Sequence, residues 1–79
     1  PQPRAIQVTL APDGTPRALV WADSIHTVRK VYEHWRERRF WWSEPLKRDY
    51  YRLEDFQGRI HVVYYDLTTA CWWLERRLL

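Results

Sequence analysis

The sequence is short of the residues from which several common kinds of functional site are built. Its single cysteine, Cys71, has no partner for an internal disulfide and is too few for a cysteine-based zinc site. Its two glycines, Gly14 and Gly58, stand apart, so there is no glycine-rich phosphate-binding loop. No apolar run approaches the roughly 20 residues of a membrane-spanning helix. These absences argue against a disulfide scaffold, a nucleotide-binding loop and a membrane partner.

Patterns typical of catalysis and metal binding are also scarce. Neither serine lies in the Gly-x-Ser-x-Gly context of a nucleophile elbow. His26 and His34 would lie about 26 Å apart in a straight strand, too far to share a metal ion. His61 is expected opposite Glu54 and Glu75, away from the other histidines. We therefore predict a protein that is not an enzyme and that has no metal site and no cofactor.

Aromatic residues are abundant instead, with six Trp, five Tyr and two Phe in 79 residues. A chain this short buries only about 60–65% of the surface that it exposes when unfolded, so it needs bulky side chains for its core. We assign the rings first to the core, and only the surplus to function. The net charge of +3 is mildly basic. The lone cysteine favours a reducing compartment, and we expect the cytoplasm.

The first third of the chain predicts a β-hairpin. Residues 5–10 alternate between apolar and polar side chains, as in a half-buried strand. Residues 12–15, Pro-Asp-Gly-Thr, are a strong turn signal, and a second apolar stretch follows at 17–21. We predict that residues 1–4 are a tail or linker and that residues 5–79 form one small β domain.

Residues 24–36 fit two structures. Their periodicity narrowly favours a short helix, and Asp23 or Ser24 would suit its N-cap. The apolar residues at helical spacing are Ile25, Val28, Val31, Tyr32 and Trp35. The segment is nevertheless rich in β-branched and aromatic residues, which favour a strand. From the residues alone, a helix and a bent strand both remain open.

The last third predicts a three-stranded antiparallel meander. Its strands cover residues 48–56, 59–65 and 71–76, and Gln57-Gly58 forms a tight turn between the first two. The preceding residues 40–45 are an aromatic loop or strand, in which the proline at the end argues against a central strand.

A two-residue turn at 57–58 also predicts the register of this meander. It pairs Leu53 with Val62, and it makes a core face of Tyr51, Leu53, Ile60, Val62, Tyr64, Trp72 and Leu74. The opposite face then carries Tyr50, Arg52, Glu54, His61, Val63, Tyr65, Trp73 and Glu75. We expect its apolar members to be covered by the Trp41-Trp42 loop, a ligand or a partner. A slip of one residue would exchange the two faces.

Basic and aromatic residues are interleaved over residues 29–42, where bases outnumber acids. Arginines hold phosphates and exposed rings stack on bases in modules that grip single strands. The predicted contacts to nucleic acid or a partner are Arg36, Arg38, Arg39, Trp41, Trp42, Arg48, Tyr50, Arg52, Tyr65 and Trp73. A ladder of salt-bridged Arg and Glu side chains on a β surface would have the same composition.

The overall pattern resembles a family of small bacterial proteins of unknown function and the C-terminal tail of ImuB-type (mutasome) proteins, which are similar to Y-family DNA polymerases. The resemblance rests on Val20-Trp21, Val28-x-x-Val31-x-x-x-Trp35-Arg36, Trp41-Trp42, Arg48-x-Tyr50-Tyr51-Arg52-Leu53 and Val63-Tyr64-Tyr65-Asp66-Leu67. Gly-Pro commonly precedes the matching Trp-Arg in those tails, which implies a bent or bulged strand over 24–36. The resemblance also implies a setting in DNA transactions.

Together these features predict a mostly β fold, a small antiparallel barrel or half-barrel of five or six strands and of SH3-like size. The predicted function is a non-enzymatic module that binds nucleic acid, with DNA as the partner, in DNA repair or translesion synthesis. The alternative is a protein–protein interaction or homo-oligomerisation domain that uses an exposed aromatic face.

Overall fold

Six antiparallel strands form a closed barrel. The computed structural model describes residues 2–40 and 45–77, with the side chains of 2–40 and 45–75. The strands are β1 Arg4–Leu10, β2 Pro16–Trp21, β3 Ser24–Phe40, β4 Pro45–Asp55, β5 Ile60–Asp66 and β6 Cys71–Arg77. Each strand pairs with the next, and β1 closes the barrel on β6. The predicted small β barrel is confirmed. Across the described ranges, no helix is present that could cross a membrane.

Strand β3 is bulged, as predicted from the resemblance, and the alternative of a short helix within 24–36 is wrong. Its register against β4 shifts between Val28 and Lys30 and again between Val31 and Glu33. Each bulge adds one residue between two successive inward-facing side chains, so these side chains are three residues apart in sequence instead of two. The inward-facing residues of β3 are therefore His26, Val28, Val31 and His34. Two bulges thus produce the apparent helical period.

Aspartates organise three of the hairpin turns. Asp13, Asp55 and Asp66 each accept a hydrogen bond from the backbone N–H two residues further on, at 2.8–3.0 Å. This contact lets a short side chain complete the turn in place of a backbone carbonyl. The turns predicted at residues 12–15 and around Gly58 therefore form from local chemistry.

The β4–β5 turn is one residue longer than predicted, and the predicted register is wrong. The N–H of Asp55 donates to the carbonyl of Arg59 (2.9 Å), and Gly58 has φ 78°, which makes a three-residue loop ending in a left-handed glycine. Leu53 consequently pairs with His61 instead of Val62. The shift turns β5 over, since neighbouring side chains in a strand point to opposite faces.

The β5–β6 pairing differs from the prediction in the same way. Tyr65, not Tyr64, pairs with Trp72, and a bulge follows between Val62 and Val63. The side chains of β5 that point into the barrel are His61, Val63 and Tyr65, whereas Ile60, Val62 and Tyr64 point outward. The core face predicted for β4 and β6 is right, and the face predicted for β5 is wrong.

The barrel interior is a small apolar core. Leu19, Tyr51, Leu53 and Val63 are its buried centre. Partly buried side chains pack around them, namely Ile6, Val8, Trp21, Val28, Val31, Trp72 and Leu74. Complete burial of a Leu or Val side chain contributes about 1.5–3 kcal/mol, so Leu19, Leu53 and Val63, the three aliphatic side chains of this centre, are a main source of stability.

Candidate functional site

Strands β3 and β4 extend beyond the barrel as a positively charged ribbon. They have 17 and 11 residues, against 6 or 7 in the other strands, and pair with each other as far as Phe40 and Pro45. We call residues 36–40 and 45–49 the basic ribbon. It carries five basic and two acidic side chains, so its net charge of +3 equals that of the whole chain.

The base of the ribbon meets an open end of the barrel that is lined by aromatic rings. We call this end the ring-lined mouth and define it by His34, Tyr51, Tyr65 and Trp72. The imidazole of His34 stacks on the Tyr51 ring with centroids 4.2 Å apart and 7° between the planes. The centroid of the Trp72 ring lies 5.8 Å from that of Tyr51 and 5.2 Å from that of Tyr65. Three of these rings line a cleft of about 270 Å³ with Leu10, Gly14 and Asp49.

Burial differs among the rings of the mouth. His34 is exposed, Tyr65 and Trp72 are partly buried, and Tyr51 is buried beneath His34. Burial raises the pKa of the Tyr51 hydroxyl, and the nearby Asp49 carboxylate raises it further. The mouth therefore offers a ring stack that is anchored in the core and open on its outer side.

Cations are in excess on the face of the ribbon that continues the mouth. The register places Arg36, Arg38 and Lys47 on the same face as Asp49. The Asp49 carboxylate lies 3.3 Å from the Arg36 guanidinium and 3.4 Å from that of Arg38. Lys47 makes no ion pair within residues 2–40 and 45–75. One carboxylate thus faces three cations.

The opposite face of the ribbon is closer to charge balance. Arg39 pairs with Glu37 in the ribbon, and Arg52 pairs with Glu33 at 2.7 Å where the same face continues on the barrel. The ladder of salt-bridged Arg and Glu side chains, given above as an alternative explanation of the composition, is therefore present, but only on this face. Exposed pairs of this kind contribute little stability, typically about 0–1 kcal/mol.

Arg48 also lies on this opposite face and is committed to packing. Its guanidinium lies 4.4 Å from the centre of the Tyr64 ring and donates to the Tyr50 hydroxyl at 3.1 Å. Tyr50 and Tyr64 are only 5% and 3% exposed, so neither ring offers a face to a base. Burial raises the pKa of both hydroxyls, which keeps them neutral.

A row of rings crosses this outer face of the sheet. Trp35 pairs with Tyr50, Tyr50 with Tyr64, and Tyr64 with Trp73 in adjacent strands. Ring centroids are 5.2 Å apart for Trp35 and Tyr50 and 5.0 Å apart for Tyr50 and Tyr64. These are favourable edge-to-face and tilted contacts. The row is a second packed layer, with exposure concentrated at Trp35.

The predicted contact residues are divided between the two faces of the sheet. Tyr65 lies in the mouth, and Arg36 and Arg38 lie on the face of the ribbon that continues it. Those on the opposite face are Arg39, Arg48, Tyr50, Arg52 and Trp73. Trp41 and Trp42 lie outside the described residues. The sequence prediction missed His34, Tyr51 and Trp72 as members of one cluster, because the β3 bulges and the β5 register decide that they meet.

The other end of the barrel holds a buried polar cluster that the sequence prediction also missed. His61 and Asp55 are fully buried, and the His61 Nε2 lies 2.9 Å from the Asp55 Oδ2. His26 converges on the same carboxylate, 3.9 Å from its Nδ1, so the expectation that the histidines lie apart is wrong for His26 and His61. His61 pairs with Leu53, not with Glu54 or Glu75.

The Asp55 carboxylate in this cluster is held in its ionised form. Burial raises its pKa, but hydrogen bonds from His61 and from the backbone N–H groups of Arg59 and Gln57 outweigh burial, so that the pKa is lowered from 3.8. The cluster is therefore a buried anion beside two imidazoles.

Comparison with known protein families gives a match over nearly the whole chain. A family model described as a domain of unknown function, DUF6504, matches residues 3–78. Neither the curated proteins nor the solved structures contain a match to the chain.

Proposed function

The chain belongs to the DUF6504 family, and we propose that it is a non-enzymatic module that binds single-stranded nucleic acid across the ring-lined mouth and the basic ribbon. The observation that carries this proposal is the position of three cations, opposed by one carboxylate, beside a ring stack that is open on one side. Modules that bind single strands combine these same two elements, a positive groove for the backbone and rings for the bases.

His34 is the stacking platform in this proposal. Its inner face already lies on Tyr51, and the His34 side chain is exposed, so a base placed on its outer face would extend the stack. Tyr51 is buried and contacts Trp72, which keeps the lower ring in place. A preformed platform reduces the loss of side-chain entropy on binding.

Arg36, Arg38 and Lys47 would bind the phosphates. Arg36 and Arg38 are two residues apart in one strand, so they follow one line at a spacing of about 6.6 Å. Asp49 holds both guanidiniums near the mouth without neutralising all of their charge. Guanidinium groups suit phosphate because they donate two parallel hydrogen bonds.

DNA is the nucleic acid that we propose, because the pattern of the chain resembles the tails of ImuB-type proteins. That resemblance also supports a role in DNA repair or translesion synthesis in a bacterial cytoplasm. The proposal requires no hydrogen bonds from the protein to particular bases, since stacking and phosphate contacts are largely independent of base sequence.

Fluorescence anisotropy with a labelled single-stranded oligothymidine tests the proposal at 50 and 200 mM salt. For three phosphate contacts on a single strand, the affinity should fall about 20-fold between these concentrations. We expect a smaller affinity for the duplex of the same length. No binding of either DNA at 50 mM salt would overturn the proposal.

Charge-matched variants on the two faces of the ribbon locate the site. The double variant Arg36→Gln, Lys47→Gln should lose about tenfold or more in affinity, because each phosphate contact contributes to counterion release. The control Arg39→Gln, Arg52→Gln removes the same charge from the opposite face and should change affinity much less. Equal losses in the two variants would show binding by net charge alone.

A protein partner or a second copy of the chain is the alternative function, which exposed apolar side chains favour. Phe40 is 81% exposed at the end of the basic ribbon, and Trp35 is 37% exposed on the opposite face. Binding through such rings would respond little to salt. This alternative would be favoured if the protein bound no DNA and formed a dimer in solution, and if the substitution Phe40→Ser dissociated that dimer.

A further inference from the structure

We propose that His26, Asp55 and His61 form a binding site for one divalent transition-metal ion, with Zn²⁺ as the best-suited ion. The three side chains come from β3, β4 and β5 and meet at the end of the barrel opposite the ring-lined mouth. The inference is independent of nucleic-acid binding, because it uses none of the residues of the mouth or the ribbon.

The distances among the donor atoms suit one ion. The Asp55 Oδ2 lies 2.9 Å from the His61 Nε2 and 3.9 Å from the His26 Nδ1, and one ligand atom from each residue lies within 4.8 Å of the others. Zinc bonds of about 2.0–2.1 Å place tetrahedral ligand atoms roughly 3.3 Å apart. Small side-chain rotations therefore bring the three atoms to one coordination sphere.

The fold already orients two of the three ligands, Asp55 and His26. The Asp55 Oδ1 accepts hydrogen bonds from the N–H groups of Gln57 and Arg59 at 2.9 and 3.0 Å, which leaves Oδ2 directed at the imidazoles. The His26 ring stacks on Trp21 with centroids 4.0 Å apart and 13° between the planes. Such supporting contacts are what hold ligands in place in known metal sites.

The donor set selects the kind of ion. Two imidazole nitrogens and one carboxylate oxygen suit zinc and its neighbours in the transition series, whereas Mg²⁺ and Ca²⁺ prefer oxygen alone. Three protein ligands leave a fourth position for water. The His26 side chain is 13% exposed, while the Asp55 and His61 side chains are fully buried, so an ion would reach the site past His26.

Metal binding creates no additional unsatisfied nitrogen on His61. Without metal, His61 donates from Nε2 to Asp55, and its buried Nδ1 has no partner in the described part of the chain. With metal on Nε2, the ring proton moves to Nδ1, which is again the one nitrogen without a partner. The ion then takes the place of the proton that Nε2 and the carboxylate share.

Metal titration of the protein tests the site. Protein stripped with EDTA and dialysed free of chelator is titrated with ZnCl₂ by calorimetry, and its thermal unfolding is followed with and without the ion. We expect one equivalent to bind. At a free concentration of about 100 times Kd, the unfolding midpoint should rise by about 10 °C or more. A zinc-independent midpoint without a binding isotherm would show only an ordinary His–Asp pair and would overturn the proposal.

Two variants assign the ligands. His26→Phe keeps a ring against Trp21 but removes the nitrogen, and it should lose at least tenfold in zinc affinity, whereas the control His34→Phe should bind like the unmodified protein. Should His26→Phe fail to fold, Asp55→Asn takes its place, since its amide oxygen still accepts from Gln57 and Arg59. Unchanged zinc binding by the folded ligand variant would refute the assignment.

Discussion

Removing the carboxylate of Asp55 is the sharpest test of how the barrel is held together. The side chain is fully buried and accepts three hydrogen bonds, from His61 and from the backbone N–H groups of Gln57 and Arg59, all at 2.9–3.0 Å. Substitution Asp55→Ala leaves these donors without an acceptor in a place that water reaches poorly. It also removes the contact that sets the three-residue loop and therefore the β5 register.

The magnitude follows from the number and kind of these bonds. Hydrogen bonds to a charged group contribute about 1.5–3 kcal/mol each, but three bonds to one carboxylate are not additive. By analogy with broken buried ion pairs, we expect a loss of about 3–5 kcal/mol in the free energy of unfolding. A domain of this length has about 4–12 kcal/mol in total, so the variant should be close to unfolding.

Urea unfolding followed by tryptophan fluorescence measures this loss, since the chain has six tryptophans. The buffer at pH 7 contains EDTA, so that no metal ion contributes. Asp13→Ala is the matched control, because Asp13 accepts from the N–H and hydroxyl of Thr15 in an exposed turn and should cost much less. Equal losses for the two variants, or a loss below about 1 kcal/mol for Asp55→Ala, would refute the reasoning.

Further predictions concern acid and the turns. Because the pKa of Asp55 is lowered on folding, the unfolded chain takes up a proton on this carboxylate at a higher pH than the folded chain. The contribution of Asp55 to the free energy of unfolding is therefore complete above the unfolded pKa of about 3.8 and is lost as pH falls through the folded pKa. Asp55→Asn should lack this loss, and the stability difference between the two proteins, measured by urea unfolding, should narrow from pH 5 to pH 3. Gly58→Ala should lower the free energy of unfolding by about 1 kcal/mol in the same assay, because the φ of Gly58 is positive. No atom lies within 4 Å of the added Cβ, so no steric clash adds to this loss. Ala70→Gly should instead stabilise by about 0.5–1 kcal/mol, because Ala70 has φ 58° in the β5–β6 turn. A loss of stability in Ala70→Gly would contradict this account of the turn.

Much of the strand pattern was predictable because it depends on neighbours in the chain. The hairpin at the start of the chain and the three-stranded meander follow from alternating side chains and from turn residues such as Gly14 and Gly58. The strand over 24–36 was harder, because two bulges give its inward residues a spacing close to that of a helix. The residues alone could not decide this, and the family resemblance did.

The candidate sites were much less predictable, because a shift of one residue changes which side chains meet. The β4–β5 loop has one residue more than predicted, and this places His61 inside the barrel beside Asp55 and His26. The same shift moves Tyr65 to the mouth with Trp72 and separates it from Tyr50 and Trp73. The arginines of the ribbon were recognised, but their division between two faces was not.

The sequence by itself determined that the chain is a small antiparallel β domain rich in rings and arginines, since alternation, turn chemistry and composition are local properties. Only the tertiary structure decided which residues share a face. Closure of six strands couples every bulge and loop length to the positions of distant side chains. The mouth and the His–Asp–His cluster depend on that coupling, because their members come from different strands.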